Sequence, residues 1–219
     1  MKKLIVFLFV FVCIKSFSQQ THPPFWQDIQ NFKHEDSLHK PPANPILFVG
    51  SSSFTKWTDV QNYFPGYTIL NRGFGGSTLP DLIGYENDVI FKYNPKEIVI
   101  YCGDNDVASS DTITAVTVLR RFQKLYSDIR AKYPKVPVVF VSIKPSPSRW
   151  NLKEKAIVAN KLVQQFLKQQ KNASYVDVWK PMLGKDGQPK KDIFIEDNLH
   201  MNAKGYAIWK KLIQPYLIK

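Results

Sequence analysis

Apolar residues follow one another along this chain in two rhythms. Short unbroken runs occur at Ile46 to Val49, Tyr67 to Leu70, Glu97 to Cys102, Val136 to Ile143 and Ser174 to Val178, most of them bounded by proline, glycine or asparagine. Runs of this length, bounded by turn residues, read as strands buried on both faces. Between them the period lengthens. From about Thr112 to Lys132, Ile113, Val116, Leu119, Phe122, Leu125 and Ile129 recur every three or four positions, which predicts an amphipathic helix. Further helices are predicted from Leu79-Pro80 onward, from about Leu152 to Gln170, and from about Asn202 to Leu217 with Tyr206, Trp209, Ile213 and Tyr216 on one stripe. Trp57 to Tyr63 reads as a short helical or irregular link. Strands alternating with helices predict an α/β fold in three layers, α/β/α, on one open parallel sheet of five strands.

The two ends of the pattern differ. Met1-Lys2-Lys3, an apolar stretch from Leu4 to Ile14, and small residues at Ser16 and Ser18 form a secretory signal peptide over residues 1–18. The apolar stretch is too short to span a bilayer comfortably, and no small residue precedes Cys13 as lipidation would require. The expected location is therefore secreted or periplasmic, without stable membrane insertion after cleavage. Residues 19–44 are polar, carry Pro23, Pro24, Pro41 and Pro42, and predict one short helix from Trp26 to Leu38 on the outside of the domain. Residues 45–219 form that single domain, an ordinary length for an α/β core.

Composition narrows the chemistry mainly by exclusion. The 219 residues carry 30 lysines and arginines against 18 acids, a net charge of +12 that falls to +9 without the leader. Such an excess suits nucleic acid or an anionic surface. Yet only five of the basic residues are arginine, and the lysines are spread along helices rather than clustered with aromatics, so a solvated surface without nucleic acid is expected. His22, His34, His39 and His200 have no metal-ligand spacing, and no cysteine pair exists, so neither metal nor cofactor is expected. Cys102 is the lone cysteine of the mature chain and sits in an apolar run, where a buried structural thiol is expected.

Four stretches lie where predicted strands end or helices begin, the edge at which open α/β sheets keep their ligands. Gly50-Ser51-Ser52-Ser53 presents three hydroxyls, and a serine attacks only when a base takes its proton. Asp197 stands three residues before His200 and can hold the far nitrogen of that imidazole. Gly76, in the glycine-rich loop Asn71-Arg72-Gly73-Phe74-Gly75-Gly76-Ser77-Thr78, offers a backbone amide, and Asn105, in Gly103-Asp104-Asn105-Asp106, offers a side-chain donor to a developing oxyanion. Each stretch alone equally describes a turn or a helix start; the four together, in order, do not.

These blocks resemble the SGNH hydrolase superfamily, the GDSL-type esterases and lipases that include platelet-activating-factor acetylhydrolase-like proteins. The resemblance runs through Phe48-Val49-Gly50-Ser51-Ser52 with Trp57 downstream, the glycine block, Gly103-Asp104-Asn105-Asp106, and Asp197-x-x-His200 followed by Gly205, Tyr206 and Trp209. It implies a flavodoxin-like fold with strand order 2-1-3-4-5, and ester hydrolysis without a metal through an acyl-serine. It further implies Ser52 as nucleophile, His200 as general base, Asp197 as its orienting carboxylate, and an oxyanion hole of the Ser52 and Gly76 amides with the Asn105 side chain. The family's Gly-Asp-Ser is Gly50-Ser51-Ser52 here; spacing from Gly50 favours Ser52 over Ser51 or Ser53. No Gly-x-Ser-x-Gly elbow exists, against the α/β-hydrolase alternative. The expected substrate is a short-chain, chiefly acetyl, ester on a small molecule or a carbohydrate. Phe54, Trp57, Phe74 and Trp150 stand either as sugar-stacking or as packing residues. A lysophospholipase or thioesterase, and a non-catalytic secreted carbohydrate-binding module, are the alternatives.

Overall fold

The computed structural model describes residues 22–219; the signal-peptide reading lies outside them. The sheet has five parallel strands in the order β2-β1-β3-β4-β5. These are β1 Ile46–Gly50, β2 Ile69–Gly73, β3 Glu97–Tyr101, β4 Val138–Val141 and β5 Ala173–Val176. The helices are α1 Trp26–Leu38, α2 Ser52–Thr55, α3 Val60–Tyr63, α4 Leu79–Gly84, α5 Asp104–Ser109, α6 Ala115–Lys132, α7 Lys153–Leu167 and α8 Ala203–Ile213. The expected fold class and strand order are those observed.

Alternation along the strands sorts the core into two layers. Leu47, Val49, Ile98, Ile100, Val138 and Phe140 face α4, α6 and α7. Ile46, Phe48, Val99, Tyr101, Val139 and Val141 face α2, α3 and α8. On the second face Trp57 and Trp209 are wholly buried, and Trp57 stacks on Tyr206 with centroids 4.7 Å apart. Such an aromatic pair adds about 0.5–1.5 kcal/mol beyond its burial. The Tyr206 hydroxyl donates to the Ser53 carbonyl at 3.0 Å, so this packing also pins α2.

At three of the boundaries that differ from expectation the contacts give the reason. Asn71, Arg72 and Gly73 belong to β2 rather than to a loop. A charged side chain is accommodated there because Arg72 donates to the Tyr93 hydroxyl at 2.7 Å and pairs with Asp36 of α1 at 2.5 Å. Helix α6 starts at Ala115, where the Thr114 hydroxyl accepts the Thr117 amide at 3.1 Å. Its buried stripe is Ala115, Val118, Phe122, Leu125, Tyr126 and Ile129, which leaves Val116 47% exposed. Helix α8 gives way to a 3₁₀ turn at Gln214–Tyr216, where Pro215 supplies no amide donor, and Tyr216 faces solvent rather than the core stripe. Cys102 is buried as expected, and burial pushes its thiol well above the usual range.

At the opposite end of β3 from the loops that matter below, Glu97 is fully buried. One carboxyl oxygen accepts the Ile218 amide at 3.1 Å and the other has no partner among the described residues. Burial raises its carboxyl to about 7, against the Ile218 hydrogen bond and nearby Lys96. A folded-state value above the unfolded one means the contribution is fully present below about pH 4.5 and is lost as pH rises to 7. Relative to Glu97→Gln, the wild-type protein should lose roughly 2–3 kcal/mol between pH 4 and pH 8. Urea midpoints of both proteins at the two pH values check this; parallel shifts would refute it.

Candidate active site

Gly50 ends β1 at φ 134°, and a Cβ there would lie 1.9 Å from the Tyr101 carbonyl oxygen of β3. Only glycine permits this approach, and it turns the chain from the sheet into α2. Ser51 is then buried at the N-cap, Ser52 begins the helix half-exposed, and Ser53 is buried again. Of the three hydroxyls, only that of Ser52 meets a base: the His200 Nε2–Ser52 Oγ distance is 2.9 Å.

His200 reaches Ser52 from a loop folded on itself. Phe194 and Met201 form an antiparallel bridge, the Ile195 amide donates to the His200 carbonyl at 2.9 Å, and Asn198 takes the left-handed conformation at φ 56°. Asn202 fastens the loop to α8: its side chain accepts the Lys204 amide and donates to the carbonyls of Asp192 and Phe194. Inside the turn, one Asp197 oxygen accepts the amides of Leu199 and His200, each at 2.9 Å. The other lies 2.5 Å from His200 Nδ1. Partial burial would raise the Asp197 carboxyl, but the bond from the His200 ring and the two amide bonds bring it down to about 2. An ionised carboxylate only accepts, so Nδ1 carries the proton and Nε2 offers its lone pair to the serine. The arrangement can remove the Ser52 proton and hold it.

The glycine block lies beside Ser52. A Cβ on Gly75 would stand 3.8 Å from the Ser52 Cβ, so the glycine block runs past the serine. Gly76 follows at φ 87° with Phe25, from the segment preceding α1, against it. Among the described residues the amides of Gly75 and Gly76 have no protein acceptor, and the Ser52 amide, first in its helix, has no partner within it. Asn105 sits in the first turn of α5, and its Nδ2 donates to the Ser77 carbonyl at 2.9 Å. Every residue singled out from the sequence (Ser52, Gly76, Asn105, Asp197 and His200) is thus at the C-terminal edge of the sheet or in the loops beside it.

Two features had no sequence signal. Ser77, fully buried, ties three blocks together: its hydroxyl bonds the Phe74 carbonyl at 2.9 Å and lies 3.3 Å from the Gly50 carbonyl, while its own carbonyl receives Asn105. Arg149, in the loop after β4, donates to Asn105 Oδ1 at 2.9 Å and pairs with Asp104 at 2.8 Å. Lys144 Nζ lies 3.0 Å from the other Asp104 oxygen. Burial would raise Asp104, but Lys144 and Arg149 hold it at about 2. Of the four aromatics left open, Phe54, Trp57 and Phe74 are fully buried and pack the core. Trp150 is half-exposed, stacked on Trp179 at 6.0 Å with Lys153 over its ring.

Known proteins resemble this chain in sequence and in fold. The sequence pattern of the GDSL-like Lipase/Acylhydrolase family matches residues 47–208. The chain is 28% identical over 196 residues to a platelet-activating factor acetylhydrolase IB subunit beta homolog of Drosophila melanogaster, covering 87% of this chain and 82% of that one. Among solved structures, a GDSL-like lipase from Bacteroides thetaiotaomicron superposes with a TM-score of 0.71 at 20% identity, covering 85% of this chain and 95% of that chain. An acetylxylan esterase from Geobacillus stearothermophilus does so with a TM-score of 0.64 at 13% identity, covering 82% and 97%.

Proposed function

Because the chain belongs to the GDSL-like lipase/acylhydrolase family and is therefore a carboxylic ester hydrolase, we propose that it is a secreted serine esterase that removes short acyl groups, chiefly acetyl, through an acyl-serine on Ser52. The observation that carries this reading is the continuous line from Asp197 through His200 to Ser52, at 2.5 and 2.9 Å. His200 takes the hydroxyl proton as Ser52 attacks the ester carbonyl. The tetrahedral oxyanion is met by the amides of Ser52 and Gly76 and by Asn105 Nδ2. His200 then gives its proton to the leaving alcohol, and water repeats the sequence on the acyl-serine. Export rests on the basic, apolar and small-residue pattern of residues 1–18.

Two observations favour a short acyl group on a polar carrier over a lipid. The exposed large apolar residues lie on α1 (Leu38), α6 (Val116), α7 (Ile157 and Val158) and the C-terminal segment (Tyr216 and Ile218), and only Ile195 shares the loop of Asp197. A lipid interface would require a contiguous apolar patch. A cavity of about 610 Å³ borders the same loop that carries Arg149; it is lined by Trp150, Pro147, Asp186, Gln188, Lys190 and Lys191, a mixture of ring face and polar donors suited to sugars. Hydrolysis of p-nitrophenyl acetate, butyrate and decanoate tests the reading. Acetate is expected to be turned over with at least about tenfold higher kcat/KM than decanoate, since each excluded methylene changes transition-state binding by roughly 1 kcal/mol or more. A preference for decanoate would turn the assignment to a lipid hydrolase.

A further inference from the structure

The contacts around Asn105 point to a role for Arg149 that goes beyond the family's serine, glycine, asparagine and histidine. We propose that Arg149 is a positioning residue for the oxyanion hole, fixing and polarising the Asn105 amide. The inference rests on the reading of Asn105 as an oxyanion donor.

An asparagine side chain has two indistinct ends, and the wrong end aimed at an oxyanion would repel it. Here the neighbours decide. Arg149 has only donors, so the atom 2.9 Å from its Nη2 must be Oδ1. The Ser77 carbonyl only accepts, so the atom 2.9 Å from it must be Nδ2. Nδ2 has two hydrogens; one goes to Ser77 and the other has no acceptor among the described residues, leaving it for the substrate. A guanidinium on the amide oxygen also draws electron density from the nitrogen, and charge-assisted bonds of this kind strengthen those further along the chain.

Arg149 is itself held. Its second nitrogen, Nη1, lies 2.8 Å from Asp104 Oδ1, while the other Asp104 oxygen takes Lys144 Nζ at 3.0 Å and the Tyr101 hydroxyl at 3.1 Å. Lys144 and Tyr101 are buried and leave Asp104 little freedom. The sequence of contacts runs from the end of β3, through a buried acid, to a side chain supplied from the loop after β4, and ends on the donor. An ion pair serving stability alone would stop at Asp104; this one continues to the amide.

The test is a double-mutant cycle on the full protein with p-nitrophenyl acetate, using Arg149→Met, Asn105→Ala and the pair, with thermal melts of each. Arg149→Met should lower kcat about 10- to 30-fold, part of the ~10²–10³ expected for losing the donor itself, with KM changed less than about threefold. In the Asn105→Ala background the same substitution should cost less than about threefold, because there is no amide left to orient. Arg149→Lys, which keeps the charge beside Asp104 but not the fork, should fall between Met and wild type, and it carries the cycle if Arg149→Met does not fold. Equal costs in both backgrounds, or a rise in KM with kcat unchanged, would overturn the inference while sparing Asn105. No loss of kcat in Asn105→Ala would remove the oxyanion reading, and the inference with it.

Discussion

Ser52→Ala should lower kcat/KM for p-nitrophenyl acetate by about 10⁴-fold or more while leaving the fold unchanged. The size follows from what the substitution removes. The Ser52 hydroxyl is the only one of three adjacent hydroxyls within reach of His200; Ser51 and Ser53 are buried beside it. Without Ser52 Oγ no acyl-enzyme forms, and the oxyanion donors act only on attack by water. Stability should stay within about 0.5–1 kcal/mol of wild type, because among the described residues the part-buried hydroxyl bonds no group but the His200 ring. The measurement is initial rate together with a thermal melt and intact-protein mass after mixing with substrate. Wild type should gain a transient acyl mass that the variant lacks. Retention of more than about one part in a hundred of the activity, with no acyl adduct in wild type, would show that the ester is attacked by something other than Ser52.

The contrast with Ser51 explains how far the sequence carried the argument. Ser51 stands where the family has aspartate, and spacing from Gly50 favours Ser52 without showing which of the three hydroxyls is exposed. What separates them is the φ of Gly50 and the helical turn after it, which expose one hydroxyl and bury its neighbours. Neither has a signature in a run of three serines. The strands were legible because burial on both faces demands unbroken apolar runs, and the long helices because one buried stripe imposes a period. The four-residue turn of α2 and the six residues of α5 have neither demand on them, and they are what carry Ser52 and Asn105. Arg149 was invisible for another reason. It is 44 positions from Asn105, and only the closing of the sheet brings the loop after β4 over the end of β3. Asn71 to Gly73 went the opposite way: the glycine-rich stretch reads as a loop, whereas Asp36 of the docked α1 and the Tyr93 hydroxyl hold Arg72 within a strand.

Asp197→Asn should be nearly as damaging as loss of the base itself, about 10³–10⁴ in kcat, though the two side chains differ by one atom. In wild type one carboxylate oxygen holds the Leu199 and His200 amides and the other receives Nδ1–H. Asparagine can satisfy only one of these. If its oxygen keeps the two amides, its NH₂ faces Nδ1, which must then become the acceptor; the ring proton moves to Nε2 and points at Ser52, so the base has no lone pair to offer. If the amide flips to accept Nδ1–H, two backbone donors in the turn lose their partner and the loop carrying His200 loosens. Either way kcat should fall while KM changes little, because Asp197 acts through His200 and not on the substrate. The pH profile separates this from simple unfolding. The Asp197 carboxyl, at about 2, lies below its ordinary value, so its effect is present above the ordinary range and is lost only as pH falls through 2. An acid limb of the wild-type profile above about pH 3 therefore does not report protonation of Asp197. Activity of Asp197→Asn above a tenth of wild type would mean that the ring is oriented by Ser52 and the loop backbone alone. A loss of this size with an unchanged melting temperature would place the effect in the tautomer of His200, the state that the hydrogen-bond line from Asp197 to Ser52 selects.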